Sequence, residues 1–191
     1  MGRLAQTLGT TDTTMDTSHL ENTAEDLVAH RLQKGGFFVA KPKFDLAGTD
    51  LIAFVHMKDG VKFSRVQCKG RTVDNASNVN IPADYVTKGF VIFLYLIDST
   101  REDWLYCFFA SDIESWTRNA TGEYVLNIPR DSHETKFARF LVTPDRLTAL
   151  RILIENAELH GEFQHLSVAF MNVKGDSGIF SGSATSAPSG A

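Results

Sequence analysis

The pair Asp59-Gly60 constrains the fold of this chain more than any other feature, because it lies between two runs with strand character. Residues 51–57 and 61–68 are rich in β-branched and aromatic side chains, and Asp-Gly between two such runs is a strong hairpin signal. The two runs are therefore predicted to pair antiparallel. In such a hairpin the start of the first strand lies beside the end of the second.

This pairing would bring three polar side chains together at one end of the hairpin. Asp50 opens the first strand, and Gln67 and Lys69 close the second. Because side chains alternate along a strand, Gln67 and Lys69 project from one face, while Val66 and Cys68 project from the other and are predicted to join the core. We therefore expect Asp50, Gln67 and Lys69 to share a site.

The rest of the chain predicts an α/β fold with a mixed central sheet flanked by helices. A helix is predicted over residues 18–33, where apolar positions recur at helical spacing, and Gly35-Gly36 ends it. A second long helix begins at Thr143-Pro144, with Thr as cap and Pro at the first position, and runs to about residue 160. The remaining predictions are central strands at 90–97 and 104–109, shorter strands at 37–39 and 124–128, and short helices after Pro82 and within 111–118.

Length and composition indicate one domain. With 191 residues and 43% apolar content, the chain can bury a single core. We expect that domain at residues 18–172. The Thr-rich residues 1–17 and the Gly/Ser/Ala-rich residues 173–191 are predicted to be disordered tails.

The charge is unevenly distributed. The net charge is −4, yet residues 41–71 hold seven cations against three anions, so positive charge surrounds the predicted site. This distribution favours attraction to phosphate, although a lysine-rich strand surface is also typical of ordinary solvent exposure.

Two cysteines in strand-like runs indicate a reducing compartment, and the longest apolar run has eight residues, too short to cross a bilayer. We therefore expect a cytoplasmic protein with no membrane partner.

The phrases TAEDLVAHRLQKGG, GTDLIAF and RVQCKGR, in this order and with a hairpin between the last two, resemble the PD-(D/E)XK nuclease superfamily. The resemblance covers roughly residues 18–110. It is most similar to the subset with Gln at the second acidic position, which occurs in Mrr-type restriction enzymes and group I intron-associated homing endonucleases. It implies a restriction-endonuclease-like core and an endonuclease that hydrolyses DNA. Thr49 stands where the family has proline before the aspartate.

The resemblance also implies a role for each residue of the motif. Asp50, the side-chain oxygen of Gln67 and the main-chain carbonyl of Cys68 would bind Mg²⁺, for which Mn²⁺ can substitute. Lys69 would orient the attacking water and steady charge on the phosphate. Glu25, on the first helix, would hold a water at the metal. The implied chemistry is in-line hydrolysis of a phosphodiester with the metal as Lewis acid, in a homodimer or higher homo-oligomer because a duplex has two strands to cut.

Several alternatives remain open at this point. Ser18-x-x-Glu21 has the form of a capping box, which leaves Glu25 for the site, but Asn22-x-x-Glu25 would be an equally valid box if the helix began later. Gln67 attracts a cation less than a carboxylate does, so a catalytically inactive nucleic-acid-binding or assembly module is the main alternative. A Holliday-junction-resolvase-like nuclease is a further one. A small-molecule α/β enzyme would need another convergent pocket.

Nucleic-acid contacts are predicted at four cations near the site: Lys43, Arg65, Arg71 and Lys88. The six histidines show no metal-ligand spacing, and most are predicted to be surface or cap residues. The aromatic strands at 90–97 and 104–109 are predicted to lie inside the sheet rather than to stack on bases.

Overall fold

The computed structural model describes residues 17–43, 47–58, 60–73 and 78–157. These residues form a mixed α/β fold in which helices flank a five-stranded mixed sheet, as predicted, and a second sheet has three strands. The helices are α1 (Thr17–Lys34), α2 (Ala110–Ile113), α3 (His133–Phe137) and α4 (Pro144–Glu155), with 3₁₀ turns at Ala83–Tyr85 and Ala138–Phe140. The strands are β1 (Phe38–Ala40), β2 (Leu51–Met57), β3 (Gly60–Thr72), β4 (Asn78–Ile81), β5 (Phe90–Ile97), β6 (Asp103–Phe109), β7 (Thr117–Arg118) and β8 (Tyr124–Asn127).

The predicted hairpin is present in the large sheet, whose order is β1-β2-β3-β5-β6. Leu51 lies opposite Val66 and Met57 lies opposite Gly60 in the antiparallel pair of β2 and β3. Asp59, the first residue of the predicted turn, lies outside the described residues. β3 continues to Thr72, beyond the predicted end, because its last residues pair in parallel with β5.

The two faces of the large sheet enter two different cores. On one face, Val66 and Cys68 of β3 and Phe93 of β5 pack under α1 and α4, so the predicted burial of Val66 and Cys68 is confirmed. On the other face, the even-numbered residues of β5 pack with the three-stranded sheet, in order β4-β8-β7, and with α3. The alternation along each strand therefore decides which core a side chain joins.

Both long helices end or begin as the sequence predicts. Gly35-Gly36 follows α1, and Gly36 has a φ of 78°, a conformation that glycine adopts at helix ends without strain. At the start of α4, the Oγ1 atom of Thr143 accepts a hydrogen bond from the backbone N–H of Arg146 at 3.2 Å. α4 ends at Glu155, earlier than the predicted end near 160, and residues 158–160 lie outside the described part of the chain.

The three-stranded sheet is the main departure from prediction. Residues 78–81 were not among the predicted strands, but Val79 and Ile81 are buried and β4 pairs with β8. The short helix after Pro82 and the strand near 124–128 are both confirmed. The predicted tails lie outside the described residues, apart from Thr17, which begins α1. Within the described ranges, the helices lack the combination of length and hydrophobicity that a membrane span needs.

Candidate active site

Asp50 is fixed beside the middle of β3 by two hydrogen bonds. Its backbone N–H donates to the carbonyl of Val66 at 3.0 Å. Its Oδ2 atom accepts a hydrogen bond from the backbone N–H of Cys68 at 2.7 Å. Cys68 stands between Gln67 and Lys69 in the sequence, so the carboxylate is held against the backbone of the Gln-x-Lys triplet.

The backbone of Cys68 faces the open edge of β3. β2 begins at Leu51, opposite Val66, so no residue of β2 pairs with position 68. In an antiparallel ladder the N–H and C=O of one residue point to the same neighbour. Because the N–H of Cys68 points to Asp50, we expect its carbonyl oxygen to face the same edge. That edge is where the sequence predicts the main-chain metal ligand.

Gln67 and Thr49 present buried oxygen atoms with unmet hydrogen-bonding capacity. Gln67 is 6% exposed, and within the described ranges its Oε1 atom has no hydrogen-bond partner. The same holds for Oγ1 of Thr49. Such an acceptor costs about 1–3 kcal/mol when it stays unsatisfied. Neutral amide and hydroxyl oxygens together with a carboxylate are ligand types that a hard divalent cation takes, so the residue types present here are compatible with Mg²⁺.

The loop before Asp50 has an unusual backbone conformation. Ala47 and Gly48 both have positive φ angles, of 51° and 68°. A Cβ atom on Gly48 would lie 2.6 Å from Nε2 of Gln67 and 2.7 Å from the ring of Tyr85. Glycine is therefore needed here both for its conformation and for the close approach of the loop to Gln67.

The two glutamates of α1 form ion pairs with cations of the strands and of the segment after β1. Oε1 of Glu21 lies 2.9 Å from NH1 of Arg71 and 3.7 Å from Nζ of Lys69. α1 begins at Thr17, one residue before Ser18. The carboxylate of Glu21 pairs with cations at the end of β3, and the capping box at Ser18 stays a prediction. Glu25 forms an ion pair at 2.5 Å with Lys41.

Charges of both signs surround Cys68. Burial is the largest cause that raises the pKa of its thiol well above the usual range, and the negative charges of Asp50 and Glu25 raise it further. The positive charges of Lys69 and Lys41 act in the opposite direction. The buried thiol thus senses charges from α1, from the residue after β1, from the start of β2 and from β3 itself.

The predicted metal site depends on oxygen atoms that are not carboxylates. In the described part of the chain, no three His, Cys, Asp or Glu side chains are grouped closely enough to hold a metal ion. Asp50 would be the charged ligand of the predicted set, with the amide of Gln67 and the carbonyl of Cys68 as neutral ones. A cation held in this way would keep several waters, as Mg²⁺ commonly does.

The four predicted nucleic-acid contacts differ in their environment. Arg65 is 9% exposed, and its guanidinium donates to the carbonyl of Tyr85 and to Oγ1 of Thr87. It holds the segment before β5 against the sheet, and the nucleic-acid contact predicted for Arg65 stays a prediction. Arg71 is partly exposed and paired with Glu21, while Lys43 and Lys88 are exposed.

Sequence reasoning missed Glu21 and Lys41 as neighbours of the site, and it also missed one buried histidine. The available signal for Glu21 was the spacing of Glu21 and Glu25, which lie one turn apart on the same helix. This spacing does not show which of the two glutamates contacts Lys69. His133 is 4% exposed, and its Nδ1 atom lies 3.2 Å from the hydroxyl of Tyr106. Among the described histidines, His133 is buried, whereas His19, His30 and His56 are exposed, as predicted for most histidines of the chain.

Comparison with known proteins gives little beyond this geometry. No protein-family model matches the chain, and no curated protein matches it. Among solved structures, the chain is similar to a bacterial homing endonuclease, I-Ssp6803I, with 15% sequence identity and a TM-score of 0.42. The match covers 73% of this chain and 94% of that chain. We draw no functional conclusion from a likeness of this size.

Proposed function

We propose that this chain is a metal-dependent endonuclease that hydrolyses phosphodiester bonds in DNA. The observation on which the proposal depends is the hydrogen bond between Asp50 Oδ2 and the backbone of Cys68, which places the carboxylate against the Gln-x-Lys triplet. The buried Oε1 atom of Gln67, which has no hydrogen-bond partner among the described residues, supports it, because a bound cation would satisfy that oxygen. The resemblance of the motifs to PD-(D/E)XK nucleases is the further support.

Asp50, Gln67 and the carbonyl of Cys68 would hold Mg²⁺, with Mn²⁺ as a substitute. The cation would supply Lewis-acid stabilisation of the phosphate that is attacked. Lys69 would orient the attacking water and offset negative charge that develops on the phosphate oxygens. Glu21, whose Oε1 atom lies 3.7 Å from Nζ of Lys69, would direct that lysine along the strand end. Glu25 would position water from the helix side.

A second candidate is a nucleic-acid-binding module that has lost its catalytic activity. It is favoured by the neutral amide at position 67 and by the lack, within the described residues, of a cluster of three conventional ligands. Both candidates retain the DNA partner.

For the nuclease we further propose a homodimer or larger homo-oligomer, since two active sites are needed to cut both strands in one encounter. Sedimentation of the free protein and of its DNA complex would measure this.

Cleavage of plasmid DNA in Mg²⁺ by the wild type, Asp50→Ala and Lys69→Ala tests the proposal. We expect each substitution to lower the rate by about a hundredfold or more, as the loss of one preorganised charged group commonly does. Lys58→Ala is the matched control, because this exposed lysine lies in the hairpin turn at the opposite end of β3. Nicking or linearisation that persists in Asp50→Ala would exclude this site. Wild type that binds DNA but leaves it intact would support the module.

A further inference from the structure

Three buried oxygen atoms around Asp50 lack a hydrogen bond. They are Oε2 of Glu25, Oγ1 of Thr49 and Oε1 of Gln67, and within the described ranges no other buried side-chain nitrogen or oxygen shares this property. Thr49 precedes Asp50, Gln67 precedes Cys68, and the charge of Glu25 acts on the thiol of Cys68. Buried polar groups nearly always have a partner, so a group of exceptions at one place is typical of a ligand site.

Glu25 differs from the other two residues because a cation of the chain lies beside it. Nζ of Lys41 is 2.5 Å from Oε2 of Glu25, yet the contact is an ion pair without the angles of a hydrogen bond. The Lys41 side chain is 60% exposed, whereas that of Glu25 is 15% exposed. An ammonium that reaches in from solvent therefore neutralises a largely buried carboxylate.

The charge of Lys41 acts on the rest of the candidate site as well. The contact with Glu25 is the largest cause that raises the pKa of Lys41; burial opposes it, and the negative charges of Asp26 and Asp50 add to it. The thiol of Cys68 in turn senses the positive charge of Lys41. A divalent cation bound at Asp50 would therefore be repelled by this ammonium.

Of the two glutamates of α1 at the site, Glu25 is the one that a bound cation can take. Oε1 of Glu21 lies 2.9 Å from NH1 of Arg71 and 3.7 Å from Nζ of Lys69, so two cations hold Glu21. The pair at Glu25 has one exposed partner, and such pairs are weak because solvent screens them and a long side chain must be ordered. Lysine is a point charge on a flexible stem, so its ammonium can leave the carboxylate at small cost.

We propose that Lys41 is a positioning residue of the cation site: it holds the Glu25 carboxylate in the metal-free protein and gives that carboxylate up when a divalent cation binds. This inference rests on the proposed function, and it adds a residue outside the sequence motifs that sets the affinity for the metal. Removal of the ammonium should lower stability without metal and strengthen metal binding. A purely structural ion pair would give the first effect without the second.

Thermal melting of the wild type, Lys41→Met and Lys43→Met in EDTA and in increasing Mg²⁺, without DNA, tests the proposal. In EDTA, Lys41→Met should melt below the wild type, because it leaves the carboxylate of Glu25 without its counter-charge. The Mg²⁺ concentration that gives half of the stabilisation should fall about tenfold, since a unit charge several ångströms from a divalent cation opposes its binding by about that factor. Lys43→Met is the matched control, because it removes the same charge from an exposed position two residues later and leaves the Glu25 pair in place.

Two further variants separate competition from a loss of packing. Lys41→Arg keeps the charge and should keep the Mg²⁺ midpoint close to that of the wild type. The double variant Lys41→Met/Glu25→Gln should respond to Mg²⁺ no more strongly than Glu25→Gln alone, because the carboxylate for which the two cations compete is absent. Titration with Mn²⁺, followed by the electron paramagnetic resonance signal of the free ion, measures the same affinities directly.

Plasmid cleavage by the same proteins separates this inference from the proposed function. Equal Mg²⁺ midpoints for the wild type, Lys41→Met and Lys43→Met would overturn the inference, even where the wild type cleaves. A Lys41→Met protein that melts low in EDTA and gains nothing from Mg²⁺ would overturn it too, because the pair would then be purely structural. A lower midpoint in Lys41→Met, together with plasmid that every variant leaves intact, would remove the nuclease function while the role of Lys41 stands.

Discussion

β3 and β5 are neighbours in the middle of the sheet, yet they use the same face in opposite ways. On β5 that face is apolar and buried under the three-stranded sheet. On β3 the facing positions are polar, and one of them contains an oxygen without a hydrogen-bond partner in the described structure. The paired positions are Arg65 with Phe90, Gln67 with Ile92, and Lys69 with Leu94. At the same height in the sheet, β5 therefore contributes to the core, while its neighbour β3 carries the polar side chains of the proposed site.

The largest expected effect is on the β5 side of this comparison. Ile92→Ala should lower the free energy of unfolding by about 2–5 kcal/mol, because it leaves a cavity in a fully buried cluster. Chemical denaturation measures the change. Val61→Ala, at a position 40% exposed, is the control and should cost less than about 1 kcal/mol. Equal losses for the two variants would contradict the division between a packed position on β5 and an exposed position on β3.

Gly70→Ala should have the next largest effect, on the helix side of β3. A Cβ atom on Gly70 would overlap the backbone carbonyl group of Leu20 in α1. Relief requires α1 to shift, and overpacking of this kind costs about 1–3 kcal/mol. The same shift should lower cleavage, because Glu21 and Glu25 move with the helix.

The obstacle at Gly70 is mainly backbone, so shrinking the side chain of its neighbour should not remove it. The double variant Gly70→Ala/Leu20→Ala should therefore be no more stable than Gly70→Ala. Recovery of the melting temperature in the double variant would show that side-chain crowding, rather than backbone contact, sets the distance between helix and sheet.

Gln67→Leu tests the comparison, because it gives β3 an apolar side chain opposite Ile92 of β5. Without divalent cations, we expect this variant to be more stable than the wild type by about 1 kcal/mol, because it removes a buried acceptor without a partner. The melting temperature should rise by about 3 °C. Added Mg²⁺ should stabilise the wild type and not the variant, since a ligand stabilises the state that binds it.

Gln67→Glu is the companion variant, because it restores charge at the same position. It should respond to Mg²⁺ more strongly than the wild type. If the wild type, Gln67→Leu and Gln67→Glu all show the same Mg²⁺ response, the amide does not hold a cation.

The smallest expected effect concerns the two thiols. Burial raises the pKa of Cys107 to about 12 and holds that of Cys68 well above its usual range. Both thiols should therefore stay protonated and react little with iodoacetamide in the native protein at pH 8, but react readily in denaturant. Because the folded pKa exceeds the unfolded one, their contribution to stability is complete below the unfolded pKa and falls as pH rises above it. Rapid native labelling of Cys68 would contradict the burial of β3.

Local patterns predicted the parts of the fold that local physics determines. The β2–β3 hairpin, the strand at 90–97 and the cap at Thr143 each depend on residues close in sequence, and each is present. The strand β4 alternates asparagine with Val79 and Ile81, a pattern typical of a half-buried strand, but its partner β8 lies more than 40 residues later in the chain. The alternation could have indicated the strand, whereas no local pattern indicates its partner.

The candidate site likewise has a part that local sequence predicted and a part that it did not. The closeness of Asp50 to the Gln-x-Lys triplet follows from hairpin geometry and was predicted. The environments of Arg65 and Glu21 depend on tertiary contacts, with the segment around Tyr85 and with Arg71 respectively, and local sequence predicted neither contact. The roles of Glu25, Gln67 and Lys69 in catalysis remain predictions.

The bond between Asp50 and Cys68 has a consequence for the order in which the protein assembles. It links residues 18 positions apart, within one hairpin, whereas Arg71 and Glu21 are 50 positions apart. Hairpins close in about 1–10 μs, and contacts between distant segments form later because longer loops must be ordered first. We expect the inner part of the site to exist before α1 docks. Docking of α1 would then complete the site. A folding chain would therefore hold the Asp50 carboxylate in place before it holds the two glutamates of α1.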